Sequence, residues 1–133
     1  MKTRSMLTLD DCKKISAASE AEARKNNWNV CIAILDDGGH LLHLVRMDGA
    51  TPANSRIAVE KGRTAAESRR STGMWEERIK GGRLAMLGMP GITPVQGGLP
   101  IVVDGVCVGG VGVSGVQSHE DEQIAKAGID TLK

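Results

Sequence analysis

Near the start of the chain, LTLDDCKKISAASEAEARKNN places apolar or small residues at Leu9, Cys12, Ile15, Ala18 and Ala21 or Glu22. That spacing predicts an amphipathic helix. Thr8 followed three residues later by Asp11 approximates a capping box, and Asn26-Asn27 ends a helix of about 17 residues near Lys25. The rhythm then changes. VCIAILD (30–36) and HLLHLVR (40–46) are rich in β-formers, and Asp37-Gly38-Gly39 between them predicts a tight hairpin. ATPAN reads as a loop in which Asn54 caps a second helix over 55 to about 70, with Ile57, Ala58, Gly62, Ala65 and Ala66 on its inner face. Gly62 inside a helix costs about 1 kcal/mol against Ala, so close backbone contact is expected there.

After this helix the pattern weakens. A short helix over Trp75–Lys80 and a turn at Leu84–Leu87 precede a loop punctuated by Gly and Pro. LPIVV (99–103), an Asp104-Gly105 turn and residues 106–114 make a second hairpin, and Ser118 is placed to cap a last helix. Glu120, Asp121 and Glu122 complement the positive end of that helix. The order is α-β-β-α-(α)-β-β-α. Turns this short force antiparallel pairing. The fold class is α+β, a single antiparallel sheet flanked by helices, and residues 1–133 form one domain.

Composition sharpens the picture. The chain holds 17 Gly, no Phe, no Tyr and only Trp28 and Trp75. A core of Val, Ile, Leu, Ala and Gly gains little area per residue, so elements must approach closely and self-association would bury more surface. Formal net charge is +1 with no long run of like charge, and stacking platforms are absent, which argues against a nucleic-acid partner. Cys12, Cys31 and Cys107 show no C-x-x-C spacing and read as buried small hydrophobes in a reducing compartment. No signal-peptide core and no long apolar span are evident, so a cytoplasmic protein with no membrane contact is expected.

GVGVSG (110–115) spells G-x-G-x-x-G, the fingerprint of a dinucleotide loop. Such a loop needs a following helix and a second parallel strand that brings an acid to the ribose. Asp130 has the right spacing but no strand comes after Ser118, and the glycines alternate with valines, so the segment reads as strand. Val106, Val108, Gly110, Gly112 and Ser114 then share one face, leaving a trough where a helix, another subunit or a flat ligand can touch backbone, a packed helix being the favoured occupant.

Other constellations are weaker. His40 and His43 have odd spacing and point to opposite faces of a strand unless a bulge intervenes, so they do not share a metal. SHEDE at 118–122 is explained by the helix dipole, and no metal site is expected. Lys61 and Thr64 share a helical side with Ile57 and Ser68, a side read as solvated. Arg46, Asp48, Lys61, Arg63 and Glu67 surround the hairpin-to-helix junction. Ser114 lacks the frame of a nucleophile elbow.

LTLDDCKKISAASEAEA, ILDDGGHLLHLVRMDGATPAN, KGRTAAES, PGITPVQGGLPIVVDGVCVGGVGVSG and DEQIAKAG, in this order, resemble the GlcG/HbpS family. The C-terminal domain of PduO-type cobalamin adenosyltransferases is similar too. The resemblance implies a profilin-like α/β/α sandwich and homo-oligomers, dimers or larger rings. It implies binding of a small molecule or tetrapyrrole, with haem b as candidate cofactor, and a catabolic enzyme as candidate partner. The matched positions are Arg46, Met47, Asp48, Lys61, Thr64, Gly97, Gly98, Pro100, Gly112, Ser114, Gly115, Asp121 and Glu122. Arg46, Asp48, Lys61, Thr64, Gly97, Gly98, Gly112 and Ser114 are the candidate ligand-binding residues; His40 or His43 could supply a haem axial ligand by its chemistry.

The leading reading is a small oligomeric ligand-binding protein, accessory to cobalamin-linked diol or glycerol catabolism or to glycolate catabolism. Lys61 and Arg46 would hold carboxylate or propionate groups. Two alternatives stand beside it. One is an enzyme acting on a small hydroxy acid or aldehyde, with Lys61 as base or carboxylate clamp. The other is a protein-docking module using an apolar patch at Met86, Leu87 and Met89.

Overall fold

A computed structural model of the protein describes residues 1–132. Its elements are α1 (Leu9–Lys25), β1 (Cys31–Asp36), β2 (Leu41–Arg46), α2 (Pro52–Ser68), α3 (Thr72–Lys80), a 3-10 turn (Leu84–Gly88), β3 (Gly98–Val103), β4 (Val106–Ser114), α4 (Ser118–Ile129) and a 3-10 turn at Asp130–Leu132. The element order expected from the sequence is the one found. The strands form one antiparallel sheet in the order β2-β1-β4-β3, with β2 and β3 as its two edges. Helices α1 and α4 cover one face and α2 the other, giving the α/β/α sandwich.

The two faces are packed by different means. On the α1/α4 side Ile15, Ile32, Ile34, Ile101, Val111, Val113 and Ile124 make a core of branched aliphatics. On the α2 side Cys31, Ala33, Leu35 and Ala58 form a thin layer, and main chain approaches main chain. A Cβ on Gly62 would lie 2.5 Å from Leu35 Cδ1 and 2.9 Å from the Gly112 amide nitrogen. One on Gly112 would overlap the Ala58 carbonyl. The trough read from the glycines is therefore filled by α2, and Gly110–Ser114 is strand rather than a nucleotide loop.

Several expectations need correction. Partner register places a β-bulge on β4, because Ile101 pairs with Gly109 while Val102 pairs with Cys107. The extra residue, Val108, turns to the α1/α4 core and Cys107 turns to α2, with its Sγ 3.7 Å from the Ala66 carbonyl. Val108 thus does not share a face with Gly110. Cys107 is also only half-buried, unlike Cys12 and Cys31.

Pro52 at the first helical turn starts α2 earlier than Asn54, which is not its cap; Thr51 holds that position. The helix stops at Arg69, whose φ is 60°. In α1 the buried stripe is Cys12, Ile15, Ser16, Ser19 and Ala23, while Leu9 is exposed. Counting by threes had drifted off a 3.6-residue period. Ser71 caps α3, which starts at Thr72, three residues ahead of the expected Trp75, and Gln117, not Ser118, caps α4 in a box with Glu120.

Turn chemistry followed the sequence. Asp104 and Gly105 have φ of 50° and 78°, as a two-residue hairpin requires, and Gly39 takes φ 83°. Thr8 and Asp11 form the capping box of α1.

Candidate functional site

The matched residues separate into a buried knot and an open edge. In the knot, Lys61 projects from α2 under the loop before β3. Its Nζ donates to the Val113 carbonyl at 3.0 Å and to Asp121 Oδ2 at 3.1 Å. Both side chains are almost sealed, at 3% and 2% exposure. The solvated side expected for Lys61 and Thr64 is therefore wrong: both are buried, and it is Ile57 that is exposed. The sheet beneath α2 and the loop before β3 above it cover the side that carries Lys61 and Thr64, leaving Arg56, Ile57 and Glu67 to solvent.

Asp121 also accepts the Val116 amide at 3.1 Å through Oδ1. Burial pushes its carboxyl above the usual range, against the pull of Lys61 and of the Val116 amide. Gly97, at φ 133°, closes the knot: its carbonyl accepts from Val113, and a Cβ there would lie 2.8 Å from Lys61 Nζ. Thr64 Oγ1 accepts the Thr93 amide at 2.9 Å and donates to the Gly91 carbonyl at 3.3 Å, fixing the loop. Gly98 packs against the Lys61 carbonyl and donates to Thr72 Oγ1 at 2.8 Å. Lys61, Thr64, Gly97, Gly98, Gly112 and Asp121 are thus together, as the joint that seats α2 on the sheet.

The open edge lies at the other matched residues. Arg46, Cys31 and Ser114 are register partners across β2, β1 and β4, so they form one row facing α2. Ser114 Oγ donates to Asn54 Oδ1 at 2.7 Å, and Cys31 Sγ lies 3.5 Å from Ser55 Oγ. Asp48 is exposed in the turn that follows β2. Leu44, two residues before Arg46 and on the same face, joins Ser55, Arg56, Val59 and Glu60 around a trough of about 390 Å³. Glu60 is paired with Arg63. Arg46 and Arg56 have no carboxylate partner among the described residues.

His40 is exposed outside the strand, its amide donating to Asp36 Oδ1 at 2.9 Å. His43 pairs with Ile34, so it faces the α1 side, opposite to Arg46. A bulge at Leu42 interrupts the strand between the two histidines' positions. Among the described residues, His43 Nδ1 is the one buried side-chain nitrogen or oxygen without a hydrogen-bond partner. No group of three or more His, Cys, Asp or Glu among those residues is placed to hold a metal ion.

Leu44, Ser55, Arg56 and Val59 were not singled out from sequence. Leu44 shares the parity of Arg46, but nothing in a single sequence says that β2 is an edge.

The family model described as "Haem degrading protein HbpS-like" matches residues 7–130. The chain belongs to the HbpS-like family. GlcG of Escherichia coli K12 is 50% identical over 114 residues, covering 86% of this chain and 85% of that protein. A double variant of HbpS from Streptomyces reticuli superposes with a TM-score of 0.91 at 30% identity, over 100% of this chain and 91% of the other. The structure of a PduOC–heme complex gives 0.86 at 25% identity, over 95% and 94%. Corrinoid adenosyltransferase PduO of Salmonella typhimurium is 26% identical over 95% of this chain but only 39% of its own length. Among the described residues no helix is long and apolar enough to cross a membrane.

Proposed function

We propose that this HbpS-like chain binds a tetrapyrrole, haem b in the first instance, along the outer edge of β2. One observation carries the reading. The edge strand bears the Arg46 guanidinium, without a carboxylate partner among the described residues, on the same α2 face as Leu44 and the trough it shares with Ser55, Arg56, Val59 and Glu60. The residues on that face fit the periphery of such a ligand: Leu44 and Val59 offer apolar contact and Arg46 and Arg56 suit propionates, while His43 lies on the opposite face and the trough's own lining holds no imidazole. Haem, when bound, supplies the iron centre. The chain's own residues bind it, orient it and neutralise its carboxylates. The complex of PduOC with heme supports the reading.

Lys61, with its ammonium engaged by Asp121 and the Val113 carbonyl, is assigned to seating α2 on the sheet rather than to base chemistry. Of the other candidate ligand-binding residues, Thr64, Gly97, Gly98 and Gly112 belong to the same joint, while Asp48 and Ser114 lie toward the β2 edge. A homo-oligomer assembled through exposed edge residues belongs to this reading, as does a cytoplasmic setting, in keeping with three cysteines that form no disulfide. The likeness to PduO makes a cobalamin-handling catabolic enzyme the candidate partner and a corrinoid the second ligand to titrate.

The test is a titration of the purified protein with hemin and, separately, with cobalamin, followed by absorbance and calorimetry. We expect a saturable Soret shift with hemin. Arg46→Ala with Arg56→Ala should weaken binding about tenfold or more, and His40→Ala and His43→Ala, compared with the unmodified protein, report by a changed spectrum which of the two ligates the iron. Neither a Soret shift nor heat of binding would reject the reading.

A further inference from the structure

A second cleft lies at the far end of α2. Trp75 donates its indole N–H to Ser68 Oγ at 3.2 Å. Ser68 is 14 residues along α2 from Asn54, or about 21 Å at 1.5 Å per residue. This cleft, of about 300 Å³, is lined by Trp75, Arg78, Arg83, Ala85, Met86 and Met89. Its floor is apolar and firm: Trp75 is 7% exposed and Met86 9%. With the indole nitrogen bonded inward, the ring's orientation is fixed. Thioethers beside it adapt to ligands of irregular shape.

The rim is cationic. Arg78 stacks its guanidinium over Trp75, 5.9 Å from the ring centroid. The Arg83 amide donates to the Arg78 carbonyl at 3.1 Å, so the chain folds back and brings a second guanidinium to the same opening. The acids nearest in sequence are already committed. Lys80 holds Glu76 at 3.0 Å and Glu77 at 3.8 Å, and Glu76 also accepts the Gln96 amide at 3.2 Å. Neither Arg78 nor Arg83 has a carboxylate partner among the described residues.

We propose that this cleft binds a small amphiphile, an apolar body carrying one carboxylate, with the body on Trp75, Met86 and Met89 and the head between Arg78 and Arg83. A volume of about 300 Å³ lies at the lower bound for small-molecule sites, which suits a medium-chain or single-ring acid better than a macrocycle. The site is independent of the tetrapyrrole reading, since it shares no residue with the β2 edge.

Octanoate and 1-octanol are the probes, identical in chain and different in head. Trp28→Phe leaves Trp75 as the reporting indole, and calorimetry on the unmodified protein gives a second readout. Octanoate should shift Trp75 emission saturably and bind at least about tenfold more tightly than octanol. Arg78→Gln with Arg83→Gln should erase that preference while circular dichroism, Tm and hemin titration stay unchanged, and Arg70→Gln should leave octanoate binding intact. Equal affinity for octanol and octanoate, no saturable signal from either readout, or undiminished octanoate binding in the double variant would each overturn the proposal.

Discussion

Lys61 and Asp121 stand 60 residues apart and meet at 3.1 Å in a nearly sealed site. Removing one member of such a pair strands the other away from water, which typically costs about 3–5 kcal/mol, whereas replacing both with apolar groups costs much less. Lys61→Met and Asp121→Asn should each fall in that range by urea unfolding, with Lys61→Met/Asp121→Leu recovering most of the loss. The pH dependence has a definite sign. Burial is the largest influence on the Asp121 carboxyl and leaves it raised in the folded state. The folded chain therefore holds this proton more tightly than the unfolded one. The contribution is full below the unfolded value of about 4 and is lost as pH rises through the folded value. Plotted against pH, the unfolding free energy of the native protein minus that of Asp121→Asn should fall across this window; a rise would mean that Lys61, not burial, dominates.

At the scale of elements, the decisive contact is α2 against β4. Gly110 and Gly112 present bare main chain to Gly62 and Ala58, and a Cβ on Gly112 has nowhere to go because its neighbours are backbone atoms. Gly112→Ala should cost about 3 kcal/mol or more through overpacking. Gly105→Ala, at φ 78° with open space around it, should cost about 1 kcal/mol from conformation alone. Gly88→Ala, with open space and no left-handed backbone, should be nearly neutral by thermal or urea denaturation.

These glycines also mark how far sequence reasoning reached. Alternation of Val and Gly identified β4 as strand, and turn residues identified both hairpins, because those signals are local. The bulge at Val108 was invisible, since it exists only in the register with β3. So was the burial of Lys61. A returning loop covers the side of α2 that bears Lys61 and Thr64, and the partner carboxylate of Lys61 lies on another helix.

For the molecule as a whole, the edges of the sheet decide how copies meet. The sheet ends at β2 and β3 without closure. Open edges invite pairing with another chain unless something blunts them. β3 carries Pro100, which cannot donate to a new ladder, so pairing there is hindered. β2 carries no proline and exposes Leu41 at 47%, Leu42 at 39% and Leu44 at 39%. A chain without Phe or Tyr has fewer large side chains to spend on its own core, and leucines left outside on a pairing-competent strand are costly unless covered. Self-association should therefore run through β2. Leu41→Lys with Leu42→Lys should lower the mass measured by light scattering to that of one chain, while leaving circular dichroism unchanged. Assembly also bears on the ligand, because Arg46 and His43 lie on this strand. If haem were held between two copies, the same double variant would lose hemin affinity together with its partner; if each copy held its own, affinity would survive in the monomer. Comparing mass and Soret titration on one preparation of this variant separates the two arrangements.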